Sequence, residues 1–169
     1  TDFTDLLRQV SDVPGIRRIR FTSPHPKDFN EKLIHLMAER ENICKQIHMP
    51  LQAGNTRVLK LMNRHYSKEQ YLESIATIRK IVPNMSFTTD IIVGFPTETD
   101  AEFEDTLAVV RQVRYDSAFM FKYSERTLTY AAKHYPDDVP EDAKTKRIVA
   151  LNELQTQISL AQNQSVIGH

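Results

Sequence analysis

Gln52, Arg64 and Asp90 are the polar side chains whose surroundings point most directly to chemistry. Gln52 stands in Pro50-Leu51-Gln52-Ala53-Gly54-Asn55, where its amide offers the donor and the acceptor needed to hold the vicinal hydroxyls of a sugar. A loop glutamine bonded to backbone is the plainer reading of the same position. Arg64, in Met62-Asn63-Arg64-His65-Tyr66-Ser67, can fork onto a carboxylate, although an arginine between two helices also serves as a solvated charge or a C-terminal cap. Asp90 is embedded in Thr88-Thr89-Asp90-Ile91-Ile92-Val93. A carboxylate there must be paired, hydrogen-bonded or turned toward a polar pocket, because bare burial costs several kcal/mol, roughly. Gly94-Phe95-Pro96 then turns the chain, and Gly94 could admit a flat ligand close to the backbone or simply make the turn. Among the six histidines, His25, between Pro24 and Pro26 on a stiff loop, is the one to watch. None pair at the i, i+4 spacing of a helical metal site. His48 is expected to pack within or beside its strand.

The elements that must position these residues alternate along the chain. Phe3 to Val10 has helical spacing, Ile16 to Thr22 reads as a strand, and Phe29 to Met37 reads as the helix after it. Ile43 to Met49 is a further strand, followed by helices over Thr56 to Met62 and Lys68 to Val82, the second opened by the capping box Ser67-Lys68-Glu69-Gln70. Phe87 to Val93 is β-branched on both faces, as a strand covered by helices should be. A second box, Thr99-Asp100-Ala101-Glu102, opens a helix to about Arg114. Ser117 to Tyr123 is the last strand, and a long helix runs from about Pro140 to Gln162. Strand and helix in alternation make a parallel α/β sheet with outer helices. Chemistry in such folds gathers at the C-terminal strand ends, which directs attention to the segments beginning at Ser23, Pro50, Gly94 and Ser124.

Composition limits the possibilities. The chain has 169 residues, 40% hydrophobic and 26% charged, with 22 basic and 22 acidic residues, an ordinary globular make-up. The single cysteine, Cys44, leaves no internal disulfide, no Cys-rich zinc site and no iron–sulfur cluster held by this chain alone. Four glycines do not make a glycine-rich phosphate cradle, and no apolar run is long enough to span a bilayer. With no signal-like start, a cytoplasmic location is expected. Arg17, Arg18, Arg20, Lys60 and Arg64 could touch phosphates, but zero net charge makes the chain a poor stand-alone nucleic-acid binder. The opening at Thr1, straight into a helical pattern, suggests an internal start.

Together, Ile19-Arg20-Phe21-Thr22-Ser23-Pro24-His25-Pro26-Lys27-Asp28-Phe29, His48 to Asn55, Val58 to Tyr66 and Thr89 to Thr99 resemble the radical S-adenosylmethionine methylthiotransferases. The likeness continues through Phe119 to Arg126 and the terminal helix. Phe21 to Phe29 looks most like the members that add a methylthio group to isopentenyl-adenosine in tRNA.

The resemblance implies a partial TIM-like (βα) barrel with S-adenosylmethionine across the strand ends. It also implies a 4Fe-4S cluster on a Cys-x3-Cys-x2-Cys loop, which this chain lacks. Residues 1–169 are then the later part of the radical SAM core. The cluster loop, an N-terminal methylthiotransferase domain and a C-terminal RNA-binding TRAM domain would lie outside them, and the chain alone would be inactive. In the family's reaction a cluster electron reduces S-adenosylmethionine, the resulting 5′-deoxyadenosyl radical takes hydrogen from an adenosine carbon, and sulfur and a methyl group are inserted. By resemblance Gln52 and Asp90 contact the ribose hydroxyls and Arg64 meets the methionine carboxylate. Ile92, Gly94 and Phe95 pack near the adenine, while Ser23 and His25 face the substrate side.

Two departures stand out. The chain has Gln52-Ala53-Gly54-Asn55 where the family usually has Gln-Ser-Gly-Ser, and Arg126-Thr127-Leu128-Thr129 where it usually has Arg-Pro-Gly-Thr. Sister activities, on threonylcarbamoyl-adenosine in tRNA or a ribosomal-protein aspartate, use the same barrel. A non-catalytic α/β binding module is the alternative of another class, and it expects Gln52, Arg64 and Asp90 on different faces. Strands lacking their neighbours would leave open edges and favour self-association.

Overall fold

The computed structural model describes residues 2–21 and 30–167. Ser23 and His25 therefore lie outside the described residues, as does the rest of their loop. Three parallel strands, β1 (Gln46–His48), β2 (Ser86–Val93) and β3 (Ser117–Lys122), form a sheet in the order β1-β2-β3. Helices α1 (Phe3–Ser11) and α2 (Glu31–Glu39) precede it. Between β1 and β2 come α3 (Thr56–Leu61) and α4 (Lys68–Ile81), and α5 (Asp100–Val113) links β2 to β3. A short α6 (Tyr130–His134) leads to the long α7 (Glu141–Ser165).

Local chemistry sets the helix boundaries. Both expected capping boxes are present: Ser67 with Gln70 opens α4, and Thr99 with Glu102 opens α5. Asp2 and Asp5 make a third at α1. Asn55 caps α3, accepting from the Arg57 N–H at 2.9 Å, while its own amide donates to Asp105 Oδ2 at 2.7 Å. That departure from the family's serine therefore serves the α3–α5 contact. Gly54 beside it is required by packing, because a Cβ there would stand 2.4 Å from the Thr106 α-carbon.

The strand expected over 16–22 is reduced, among the described residues, to an isolated parallel bridge between Ile19 and Ile43. Ile19 is the buried position in a stretch whose Arg17, Arg18 and Arg20 are exposed, so the ladder has one anchored rung rather than a run. The 43–49 strand is likewise shortened to β1. Helix α6 lies in the stretch between the last strand and the long helix, and the Thr129 hydroxyl caps it by accepting from the Ala132 N–H at 3.2 Å.

Alternation along β2 divides the sheet into two faces. Phe87, Thr89, Ile91 and Val93 are buried on the side covered by helices. Thr88, Asp90 and Ile92 are half-buried on the other, where Phe119 and Phe121 of β3 are 58% and 54% exposed. The site residues project onto this open face.

The turn before α6 contains a local strain with a measurable consequence. Leu128, at the position where the resembling family has glycine, has φ of 75° and is 86% exposed. A left-handed backbone costs an L-residue roughly 1–2 kcal/mol, and glycine's added unfolded-state freedom offsets part of the relief. Leu128→Gly should therefore raise stability by about 0.5–1 kcal/mol in urea melts. An unchanged or lower midpoint would contradict this account of the turn.

Candidate functional site

Buried hydroxyls hold the chain that leads into Gln52. The Thr89 hydroxyl donates to the Met49 carbonyl and accepts from the Leu51 N–H, both at 2.9 Å. Tyr71 donates to the Met49 carbonyl at 2.8 Å, and Tyr66 reaches the carbonyls of Pro50 and Leu51. With Met49–Leu51 fixed, Gln52 adopts φ of 67° and docks on β2 through its own N–H to the Asp90 carbonyl, 2.8 Å, while its carbonyl accepts from the Ile92 N–H, 2.9 Å. A non-glycine residue in this region is strained, and the two backbone bonds hold it there. The Gln52 side-chain amide has no protein partner among the described residues and lines a cleft.

That cleft, of about 580 Å³, lies at the C-terminal ends of β2 and β3. Gln52, Asp90, Ile92 and Phe95 line it together, joined by Phe121, Tyr123, Ser124 and Arg126 from the end of β3 and beyond. Among the described residues Asp90 is the only carboxylate in its wall. One of its oxygens, Oδ2, lies 3.2 Å from His48 Nε2, and Oδ1 has no protein partner among the described residues. The cationic side chains differ in availability: Lys122 pairs with Glu141, whereas Arg126 makes no side-chain bond among the described residues.

Arg64 and Gly94 do not line the cleft. Arg64 stands beside Tyr66, whose hydroxyl burial pushes up to about 12 while the Arg64 charge opposes the rise. Its Nε is buried with no hydrogen-bond partner among the described residues. Because Tyr66 bonds to Pro50 and Leu51, Arg64 sits next to the segment entering the site rather than in its wall. Gly94 has φ of +72°, and a Cβ there would come 2.4 Å from Lys144 Cγ. The space over this glycine is thus filled by the stem of an α7 lysine.

The turn from Gly94 to Thr99 is clasped from below. Glu98 accepts the Gly94 N–H at 2.6 Å and pairs with Arg147 of α7 at 2.9 Å. Both side chains are buried. Burial raises the Glu98 carboxyl above its usual range, against the opposing pull of the Gly94 N–H and of Arg147. Arg57 grips Glu102 through two bonds and also reaches the Thr97 carbonyl at 2.7 Å. The Arg57 hydrogen bonds lower Glu102 to about 2. Lys144 pairs with both oxygens of Asp137 at 2.6 Å.

Sequence reasoning missed the His48–Asp90 pair, Glu98 and the α7 clasp. The sequence reading places His48 in its strand, where it lies, but its pairing with Asp90 follows only from the β1–β2 register, which sets it against Thr88, two residues before Asp90 and on the same face. For Glu98 and Arg147 the sequence holds no signal, since their contact joins positions 49 residues apart.

The donor set suits a nucleoside carrying a carboxylate. An unpartnered amide and a carboxylate with a free oxygen suit vicinal hydroxyls, and Ile92, Phe95 and Phe121 supply apolar area for a base. The orphaned Nε of Arg64 is buried outside the cleft wall and adds no contact to it. S-adenosylmethionine fits these residues. An iron–sulfur cluster does not: Cys44 is the only cysteine, and among the described residues no group of three or more His, Cys, Asp or Glu could hold a metal. Among the described residues no helix is long and apolar enough to cross a membrane.

Residues 1–110 match the family model of the Radical SAM superfamily. The chain is 48% identical over 166 residues to a protein of Phocaeicola vulgatus called tRNA-2-methylthio-N(6)-dimethylallyladenosine synthase, covering 98% of this chain and 36% of that one. It is 49% identical over 168 residues to the Acetivibrio thermocellus protein of the same name, covering 99% and 35%. The chain thus spans little more than a third of the length of these relatives. Among solved structures it is similar to coproporphyrinogen III oxidase (HemN) from Escherichia coli, described as a radical SAM enzyme, with TM-score 0.66 and 23% identity over 92% of this chain and 36% of that one. That likeness bears on the fold.

Proposed function

The chain belongs to the Radical SAM superfamily, and on that premise we propose that it forms the later part of the barrel of a tRNA methylthiotransferase acting at C2 of N6-isopentenyladenosine. The observation that carries this reading is the meeting of Gln52, Asp90, Ile92 and Phe95 in one strand-end cleft. A non-catalytic module would leave such strand-end residues scattered, whereas here an amide and a carboxylate without further side-chain partners among the described residues line one cleft with apolar side chains. The names of the similar proteins support the choice of substrate.

Each residue has a distinct part. Gln52 and Asp90 bind the two ribose hydroxyls, the amide donating or accepting as each hydroxyl requires and the carboxylate accepting. Ile92 and Phe95 pack against the adenine and exclude water from it. Gly94 gives the turn its left-handed backbone, and the Glu98–Arg147 clasp keeps that turn in place. Arg64 is assigned to the methionine carboxylate by the family resemblance alone, since it stands beside Tyr66 and outside the cleft wall. When bound, S-adenosylmethionine supplies the methyl group and the source of the hydrogen-abstracting radical. The 4Fe-4S cluster and most of the tRNA contacts belong to residues outside this chain, with Ser23 and His25 assigned to the substrate side by the family resemblance alone. Cytoplasmic tRNA is the partner. The self-association expected from open strand edges belongs to the same reading, since β1 and β3 are the outer strands of the sheet and Phe119 and Phe121 of β3 are exposed on its open face.

Nucleoside mass spectrometry on tRNA tests the substrate. In a strain deleted for the intact gene, isopentenyladenosine should accumulate, and restoring that gene should return its 2-methylthio form. Normal methylthiolation in the deletion strain would sink the assignment.

A further inference from the structure

His48 does not line the cleft but reaches it through Asp90, and hydroxyl recognition gives it no task of its own. It lies on β1 in register with Thr88, and its Nδ1 is 2.9 Å from the Thr88 hydroxyl. Its Nε2 is 3.2 Å from Asp90 Oδ2, the one side-chain partner Asp90 has among the described residues. On the β3 side, Phe119 is in register with Asp90, and its ring meets the imidazole edge-on at 6.2 Å between centroids. The carboxylate is thus flanked by an imidazole and a phenyl ring.

We propose that His48 is the positioning residue for Asp90. The Thr88 hydroxyl donates to Nδ1, which fixes the imidazole as the Nε2–H tautomer. Nε2–H then donates to Oδ2 and holds the carboxylate in one rotamer, with Oδ1 left for a ribose hydroxyl. The inference rests on the reading that Asp90 binds the ribose. Stabilisation alone is a weak reason for the pair: its side chains are 27% and 31% exposed, where ion pairs contribute little. Pre-organisation is a stronger one, because a carboxylate already held in its binding rotamer loses less freedom when ligand arrives.

Calorimetric titration of S-adenosylhomocysteine into the intact, cluster-loaded protein tests this. His48→Leu should weaken binding by about 3- to 10-fold. His48→Gln, whose terminal amide nitrogen can take the place of Nε2, should return it to within about twofold. With the 2′,3′-dideoxy analogue of the same ligand, His48→Leu should carry no penalty. If His48→Leu binds like the wild type while Asp90→Asn is weakened, the positioning role is overturned and the ribose reading stands. If Asp90→Asn also binds like the wild type, the ribose reading fails and the inference fails with it. A leucine variant that does not fold leaves a second measurement. Nitrogen-15 NMR of the histidine-labelled protein, with the His48 signals assigned by their loss in His48→Gln, should show Nε2 protonated. A neutral Nδ1–H tautomer cannot donate to Asp90 and would overturn the proposal.

Discussion

Arg147→Met should cost about 3–5 kcal/mol of folding stability, because it leaves Glu98 as an uncompensated buried charge. The Glu98 side chain is 1% exposed and its remaining partner is the Gly94 N–H. Methionine keeps much of the aliphatic stem and gives up the guanidinium that stands 5.9 Å over the Phe103 ring, a contact worth about 0.5–2 kcal/mol, so the larger part of the loss is the unpaired Glu98 charge. The pH dependence identifies the cause. Burial raises the Glu98 carboxyl in the folded state, so the folded protein binds its proton more readily than the unfolded chain. Its contribution is fully present below the unfolded value and is lost as pH rises through the raised folded value. Removing Arg147 raises that folded value further. The deficit of Arg147→Met should accordingly be largest at neutral pH and shrink on acidification, as Glu98 becomes neutral. Urea melts across that range give the answer, and a deficit that does not vary with pH would assign the loss to packing instead.

Asp90→Ala should weaken S-adenosylhomocysteine binding by about 10- to 100-fold, the worth of a charge-assisted hydrogen bond of roughly 1.5–3 kcal/mol. Its cost in stability should be small, within about 0.5 kcal/mol, since the side chain is 31% exposed and gives up only the bond to His48. These two variants separate the clasp from the site: one destabilises the fold without removing a ligand contact, and the other spares the fold and weakens the ligand. A strongly lowered melting temperature in Asp90→Ala would mean that the carboxylate is structural.

Short-range chemistry made much of the fold legible in the sequence. The Ser67/Gln70 and Thr99/Glu102 capping boxes work over three residues, and β2 declares itself through its β-branched residues. Gln52 and Asp90 could be singled out as a loop amide and a strand carboxylate, each with a plain structural reading beside it, but their meeting in one cleft came only with the fold. Long-range polar packing was not legible. Helix α7 turns Lys144, Arg147 and Gln155 inward with Leu151 and Ile158, so its buried stripe reads as a solvated face until Asp137, Glu98 and the Tyr115 carbonyl are in place. Arg64 illustrates the same limit. Its type suits a carboxylate, but only the fold sets it against Tyr66 rather than in the wall of the cleft.

A crystal structure of the intact protein with S-adenosylhomocysteine tests the central claim most directly. The ribose hydroxyls are expected within hydrogen-bonding distance of Asp90 Oδ1 and the Gln52 amide, with the adenine against Ile92 and Phe95. Ligand bound elsewhere, with Gln52 and Asp90 facing solvent, would contradict it.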